Sequence, residues 1–310
     1  MHVSVPPDRR RTLGYAMVVT SALLFGLNGT VSKVMLLGGM PAQELTELRS
    51  TGAFLGLLAI VLITRPSTLR VPWRELPVIA AYGILGVAAT QWLYFVAIKR
   101  LPVGIALLLE FTAPLLVALW ARFVRHEPVR RRVWLALALS LSGLAVVAEV
   151  WGGLRLDGLG VAAGITAAFV LCLYFVLGEH MVSDRDPVSL TCLAFGFASL
   201  FWALLRPWWN FPFSLLAKDV SLLGNYSDVH VPMWVLSISL VVLGTIVPFT
   251  LSIASLRHLR ARQVGLVGMV EPVAATIIAY VWLAEALGPA QLIGGAVVIT
   301  GVILAETSRA

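Results

Sequence analysis

The sequence contains little charge for its length. Asp, Glu, Lys and Arg make up 13% of the 310 residues, whereas 59% are hydrophobic and the mean hydropathy is +0.91. A typical soluble domain carries about 25% charged residues. The composition therefore excludes a soluble globule and indicates a polytopic membrane protein.

Residues that carry catalysis or bind metals are also scarce. The two cysteines, Cys172 and Cys192, fall within predicted membrane helices, so the sequence supports neither a disulfide framework nor a metal site. The histidines lie at termini, in loops or at helix ends, so they form no buried catalytic or metal centre: His2, His126, His180, His230 and His258. None of the three lysines follows a glycine as in a phosphate-binding loop. We expect no enzyme activity, no cofactor, no metal and no ATP-driven step.

Long apolar runs fill most of the chain. At roughly 20 apolar residues per crossing, they predict ten membrane helices, at 13–36, 42–64, 76–98, 102–124, 132–150, 157–180, 187–206, 232–256, 262–284 and 288–306. The longest segment between helices, 207–231, is rich in Trp, Phe and Pro, which is typical of a segment at the lipid headgroup level. It is predicted to be interfacial.

The basic residues predict the orientation of these helices. The net charge of +7 comes from Lys and Arg in the short gaps between apolar runs, where they set topology and indicate no nucleic-acid partner. The side that bears both termini has 16 of them and the other side has five. The positive-inside rule therefore places both termini in the cytoplasm.

Proline, glutamate and glycine recur at matching positions in the two halves. A shift of 158 residues pairs Gly86 with Gly244 and Pro114 with Pro272, and a shift of 146 pairs Gly14 with Gly160. The predicted halves, 1–150 and 151–310, each hold five helices, so the second half is inserted upside down relative to the first. Inverted repeats are typical of alternating-access carriers.

Two stretches carry a family resemblance. They are "TAPLLVALWARFVRHEPVRRRVWLALALSLSGLAVV" and "VEPVAATIIAYVWLAEALGPAQLIGGAVVITGVIL". In them Pro114, Glu127 and Gly143 of the first half, and Glu271-Pro272, Glu285 and Gly301 of the second, match the pattern of the drug/metabolite transporter superfamily. The chain resembles its EamA-type exporters over essentially its whole length. The resemblance implies an all-α fold of two five-helix repeats and a transport function.

The first half departs from that pattern before its proline, where Thr112-Ala113 stands in place of glutamate and a carboxylate lies at Glu110. Pro114, Pro248 and Pro272 are predicted to kink their helices, since proline cannot donate to the carbonyl four residues back. Glu271 either lines a hydrated transport path or only stabilises the kink at Pro272. An ionisable residue inside a membrane is a functional candidate by default.

Glu110 and Glu271 occupy inverted positions. Glu110 lies eight residues past Pro102 and Glu271 eight past Gln263, so each is about 12 Å deep, from opposite sides of the membrane. Burial at that depth favours the protonated carboxyl, which suits coupling to protons. We predict that Glu110 serves the outer gate and Glu271 the inner gate.

Other polar residues predict a substrate path. Asn28 lies between two glycines in "FGLNG" and pairs with Tyr174 in the repeat, although these glycines could instead serve helix packing. Thr90, Gln91 and Tyr94 share one face of the third helix, and Ser252 lies on the equivalent face of the eighth. Trp92 is predicted to face lipid. Lys33, Glu44, Glu47 and Arg49 are predicted to form a salt-bridged outer rim, from which Arg49 could reach an anionic substrate group.

These patterns predict a secondary-active exporter of the cytoplasmic membrane. Its expected substrates are small amphiphilic metabolites, in particular amino acids or related compounds, with protons as a candidate coupling ion and membrane lipid as its surroundings. The alternative is a lipophilic-cation or drug exporter, which is favoured if Glu110 and Glu271 both stay ionised.

Overall fold

The computed structural model describes residues 7–124, 126, 131–147, 156–182, 186–255, 258–259, 267–268 and 270–308. This part of the chain is mostly helical. We label its main helices α1 to α10: Pro7–Leu37, Ala42–Thr64, Leu76–Arg100, 103–123, Arg131–Val147, Gly158–Val182, Pro187–Leu205, 233–255, Val270–Leu283 and Pro289–Ser308. The predicted half boundary, at residues 150 and 151, and Glu127 lie outside the described residues.

Five of these helices contain segments long and apolar enough to cross a membrane: Arg11–Leu37, Ala42–Thr64, Leu76–Arg100, Val188–Leu205 and Met233–Ser252. The other helices contain shorter apolar segments. Large apolar side chains remain exposed along the helices, and Ile63, Leu204 and Ile293 are 83%, 74% and 62% exposed. An outer surface of this kind fits a hydrocarbon surrounding, so the chain is a multi-pass membrane protein.

Two helices widen into π-helical segments near their middle. The segment in α3 runs over Tyr82–Ala89 and the segment in α8 over Val242–Ile246. A threonine lies at or near the end of each one: Thr90 Oγ1, just after the first segment, donates to the carbonyl of Leu85 at 3.4 Å, and Thr245 Oγ1, inside the second, donates to that of Leu240 at 2.9 Å. These bonds help to satisfy carbonyls in a widened turn, and π segments often mark functional sites.

Helix α4 is interrupted at the position that Pro114 predicts. Its first part ends at Glu110 and its second begins at Ala113. Thr112 bridges the break, because its backbone N–H and its hydroxyl both donate to the carbonyl of Leu109, at 3.2 and 2.7 Å. The carboxylate of Glu110 therefore lies at an opening in the helix.

The predicted interfacial segment folds onto the helix ends. It contains a short helix, Phe213–Leu216, and the antiparallel strands β1 (Asp219–Ser221) and β2 (His230–Pro232), with Val220 opposite Val231. Val220 is buried, and the indole of Trp282 in α9 donates to the carbonyl of Leu222 at 2.8 Å. This segment packs on protein, while Trp209 remains 84% exposed.

The helices pack against one another in defined pairs. Helix α1 lies against α8 and α9, and α6 lies against α3 and α4. Helix α2 packs on α7, and α5 packs on α10. The largest buried apolar cluster lies where α1, α3, α4 and α9 meet.

Glycines allow the close approaches between paired helices. A methyl group added at Gly86 of α3 would lie 2.5 Å from Cδ2 of Tyr174 in α6, and one at Gly244 of α8 would overlap the side-chain oxygen of Asn28 in α1. Any larger residue at Gly86 or Gly244 would therefore push the helices apart.

Candidate functional site

Arg49 lies inside the helix bundle, in the second turn of α2. The residue is 5% exposed. Its Nε donates to Thr245 Oγ1 at 2.9 Å and its Nη2 to the carbonyl of Gly244 at 3.3 Å, so α2 is tied to the π segment of α8. The guanidinium carbon lies 5.7 Å from the ring centroid of Phe95 in α3. A buried guanidinium is thus held by neutral groups.

Three further ionisable side chains are close enough to this guanidinium to interact with its charge. Tyr94 of α3, Glu110 of α4 and Glu271 of α9 interact with Arg49 electrostatically, and the two carboxylates interact with each other. No carboxylate forms a direct ion pair with Arg49 within the described part of the chain. We call Arg49, Tyr94, Glu110, Thr245 and Glu271 the Arg49 cluster.

The two glutamates occupy helix ends next to the prolines that the sequence singles out. Glu110 is the last residue before the break in α4, and Glu271 is the second residue of α9, followed by Pro272. The carbonyl of Pro272 accepts from Thr276 Oγ1 at 2.8 Å. Each glutamate is half-buried. The structure brings together two residues that the sequence assigns to opposite gates.

Asn28 joins the cluster through α8. It is 5% exposed, lies against Gly244 and accepts from Ser32 Oγ at 3.5 Å. A shallow crevice, lined mainly by leucines and too narrow for a water molecule, lies between α1 and α8 beside Asn28 and Gly244. Asn28 therefore packs against Gly244, the residue whose carbonyl accepts a hydrogen bond from Arg49.

The polar face predicted for α3 is buried. Thr90, Gln91 and Tyr94 are 6%, 8% and 7% exposed. Gln91 Oε1 has no hydrogen-bond partner in the structure. A buried amide oxygen without a partner costs about 1–3 kcal/mol, so Gln91 marks a polar position next to the Arg49 cluster that the fold leaves unsatisfied.

Trp92 corrects the expectation that it faces lipid. Its indole packs against Trp202 of α7, with ring centroids 6.2 Å apart and planes at 64°. Trp202 is 5% exposed, so the pair lies inside the bundle. The pattern of α3 could not reveal this partner, because Trp202 lies 110 positions further along the chain.

The remaining predicted residues make contacts with residues outside the Arg49 cluster. Tyr174 stacks on Tyr82, with ring centroids 4.7 Å apart, and lies over Gly86. The carbonyl of Pro248 accepts from Ser21 Oγ at 2.8 Å, and that of Ser252 accepts from Ser255 Oγ at 2.6 Å. The structure therefore places Tyr174 and Pro248 at contacts between helices, whereas the bond to Ser252 lies within α8.

Lys33 and Glu285 form a separate group at one end of the bundle. The Lys33 ammonium pairs with the Glu285 carboxylate and donates to the carbonyl of Leu101 at 2.8 Å. The other Glu285 oxygen accepts from the backbone N–H of Val103 at 3.0 Å. We call these four residues the Lys33 clamp, which joins α1, the start of α4 and the segment after α9.

The structure contains only part of the predicted salt-bridged rim. Lys33 pairs with Glu285 and Glu44 pairs with Arg206, whereas Glu47 Oε1 is buried without a hydrogen-bond partner. Arg49 is not part of the rim. Its position seven residues inside α2 indicated from the sequence that Arg49 could be buried. Its hydrogen-bond partners on α8 could not be predicted from the sequence.

The described residues contain no group of three His, Cys, Asp or Glu side chains placed to hold a metal ion. Cys172 and Cys192 are buried and do not form a disulfide. The chemistry that the Arg49 cluster offers is therefore charge and hydrogen bonding toward a small polar ligand.

Known proteins share this architecture. A protein of known crystal structure is 22% identical, with a TM-score of 0.60 over 97% of this chain and 98% of that chain, which extends the fold over nearly the whole sequence. An uncharacterized transporter of Archaeoglobus fulgidus is 29% identical over 94% of this chain and 96% of its own.

Two relatives have named substrates. The threonine/homoserine exporter RhtA of Escherichia coli K12 is 28% identical over 79% of this chain and 76% of its own. A probable terminal-alkyne amino-acid exporter of Streptantibioticus cattleyicolor is 29% identical over 80% and 79%. Residues 12–148 and 158–307 each match the EamA-like transporter family. The chain belongs to that family, within the drug/metabolite transporter superfamily, and its members are transporters and not enzymes.

Proposed function

We propose that this protein is a secondary-active exporter of amino acids or related small amphiphilic metabolites. In this proposal ten helices cross the cytoplasmic membrane as two inverted five-helix repeats, 1–150 and 151–310, and the protein works by alternating access. The observation that carries the proposal is that contacts between helices recur in the two halves.

One recurring contact lies near the helix centres. Tyr174 of α6 covers Gly86 of α3, and Asn28 of α1 covers Gly244 of α8. The repeat shifts of 146 and 158 residues convert the second contact into the first. Both contacts lie on π segments, Tyr82–Ala89 and Val242–Ile246.

A second contact recurs nearer the helix ends. A methyl group at Gly14 would lie 2.7 Å from Cγ of Leu259, and one at Gly160 would lie 2.9 Å from Cγ of Leu101. The same two shifts relate these contacts. Two halves that make equivalent contacts can exchange conformations, which is the basis of alternating access in carriers with inverted repeats.

The relatives and the Arg49 cluster support the amino-acid class. Two relatives carry the names of amino-acid exporters. The cluster combines one guanidinium with two carboxylates, so it offers partners for both charged groups of an amino acid.

Glu110 and Glu271 are the candidates for coupling to protons. They lie in a region of low dielectric and repel each other, so binding one proton between them relieves that repulsion. Proton transfer through this pair would change the charge of the cluster during each cycle.

The orientation follows from the basic residues. Sixteen Lys and Arg side chains fall on the side of both termini and five on the other, which supports cytoplasmic termini. The Lys33 clamp and the β1–β2 segment then lie on the outer side.

Flux into proteoliposomes tests the proposal. Purified protein should exchange labelled L-threonine or L-homoserine, and an imposed pH gradient should drive accumulation. A panel of lipophilic cations serves as the comparison. Transport of cations without transport of amino acids would instead identify a drug exporter, and two ionised carboxylates beside one arginine would account for it.

A further inference from the structure

We propose that Arg49 is the substrate carboxylate site, and that it binds an α-amino acid through the edge of its guanidinium that α8 leaves unoccupied. This inference rests on the proposed amino-acid transport and names the group that selects the substrate.

The hydrogen bonds of Arg49 define the free edge. A guanidinium has five N–H donors, and carboxylates bind two of them side by side. Thr245 Oγ1 takes Nε and the carbonyl of Gly244 takes Nη2, which together occupy one edge. The edge formed by Nη1 and the second hydrogen of Nη2 makes no hydrogen bond within the described residues.

Burial makes this free edge significant. Arg49 is 5% exposed, and a buried charge without an ionic partner is strongly disfavoured. A residue that only joined α2 to α8 would need no charge, since both of its partners are neutral. The positive charge is therefore retained for a partner that the folded chain does not itself supply.

The nearby acids fit the other end of the same ligand. Glu110 and Glu271 interact with Arg49 electrostatically, but the described residues include no direct ion pair between either of them and Arg49. An amino acid carries its carboxylate and its ammonium on the same carbon. It can place the first on Arg49 and direct the second toward these carboxylates, so its two charges replace the missing ion pair.

The α8 partners make Arg49 a rigid site. Because Thr245 itself donates to the carbonyl of Leu240, its hydroxyl oxygen is oriented toward Arg49 Nε. The π segment exposes the carbonyl of Gly244 for the second bond. A preorganised guanidinium loses less entropy on binding a planar carboxylate than a mobile lysine would.

Equilibrium binding of labelled L-threonine to purified protein in lipid nanodiscs tests this site. The competitor is threoninol, which keeps the ammonium and hydroxyl of threonine but lacks the carboxylate. We expect the unsubstituted protein to prefer L-threonine to threoninol. Arg49→Gln should weaken L-threonine binding about 100-fold, while direct binding of labelled threoninol stays unchanged.

Two further variants guard against a folding defect. Arg65→Gln, at the far end of α2, is the matched control and should leave both affinities unchanged. Arg49→Lys keeps the positive charge but loses the two parallel N–H donors of the guanidinium, so it should weaken L-threonine binding about tenfold. If Arg49→Gln yields no monodisperse protein, Arg49→Lys decides.

The outcomes separate the site from the function. Folded Arg49→Gln or Arg49→Lys protein that still prefers L-threonine by the full margin overturns the carboxylate site while leaving amino-acid export intact. Unsubstituted protein that neither binds nor transports amino acids overturns both proposals.

Discussion

The Lys33 clamp and the Arg49 cluster are two charged groups in one bundle, and they are satisfied in opposite ways. In the clamp, Lys33 has a carboxylate and a carbonyl, and both Glu285 oxygens have donors. In the cluster, Arg49 binds two neutral oxygens, and Glu110 and Glu271 make no hydrogen bond within the described residues.

This difference indicates two tasks. A closed set of bonds stabilises one arrangement of helix ends, because breaking any member leaves another unpaired. A group of charges without direct ion pairs can change its partners at a low free-energy cost, because no existing ion pair must break before a ligand or a proton binds. The clamp is therefore expected to govern stability and the cluster to govern transport.

The largest expected effect is at Glu271. Glu271→Gln keeps the size and hydrogen bonding of the side chain but cannot ionise, so proton-driven L-threonine export should fall to the level of protein-free liposomes. The matched variant Glu285→Gln should keep most of its flux, because its amide oxygen can still accept from Val103. Flux and monodisperse yield are measured for both.

The structural interpretation of Glu271 forecasts the contrary pattern. Glu271→Gln would then transport normally with its pH dependence intact, and Glu271→Leu would lose folded protein because leucine cannot hydrogen-bond a carbonyl freed by Pro272. Active Glu271→Gln would remove the carboxylate from the coupling step.

The next largest effect is on stability and belongs to the clamp. Lys33→Met leaves the Glu285 carboxylate partly buried without its cation, so we expect a loss on the order of 2 kcal/mol in unfolding free energy. Thermal unfolding in detergent measures it, with Lys99→Met at an exposed helix end as control. Adding Glu285→Gln should recover part of the loss. Equal stability of Lys33→Met and Lys99→Met would contradict a structural clamp.

The helical character of the chain and the bounds of individual helices could be predicted from the sequence, whereas the contacts of the cluster could not. A membrane helix is predicted from the length of a local apolar run, and the predicted helix 42–64 therefore coincides with the observed helix Ala42–Thr64. The environment of Arg49 depends on Thr245 and Gly244, 196 and 195 residues along the chain. No local pattern contains that pairing.

The π segments illustrate the same limit. Glycine and threonine at Gly86 and Thr90 are compatible with an ordinary helix, and the packing of Tyr174 against Gly86 joins residues far apart in the sequence. Glu110 was predicted from its charge in an apolar run, which is a local signal. Its proximity to Glu271 required the packing of α4 on α9.

A smaller effect concerns access to the cluster. Gln91 has an unsatisfied oxygen on the buried face of α3, whereas Trp92 packs against Trp202. Gln91→Cys should therefore react with small hydrophilic thiol reagents during transport, and L-threonine should slow the reaction. Trp92→Cys should react more slowly and without protection. Reaction at Trp92→Cys alone would place the water path on the other face.

The smallest effect is expected at a third charged pair, at the opposite end of α2 from Arg49. Asp186 caps α7 by accepting from the backbone N–H and the hydroxyl of Ser189, both at 3.0 Å, and it pairs with Arg65 at 2.5 Å. Partial burial opposes ionisation, but these donors outweigh it and hold the pKa of Asp186 below its ordinary value.

Because the folded pKa is below the unfolded one, the cap stabilises the protein above the unfolded pKa, about 3.9, and this contribution is lost as the pH falls through the folded pKa. Asp186→Asn should remove that part of the acid dependence. Since the Arg65 side chain is 42% exposed, we expect a change of about 1 kcal/mol or less at neutral pH. Thermal unfolding of both proteins between pH 7 and pH 3 measures it. Transport at neutral pH should be unchanged, because this pair touches neither the Lys33 clamp nor the Arg49 cluster. A transport defect in folded Asp186→Asn would contradict the assignment of transport to the cluster alone.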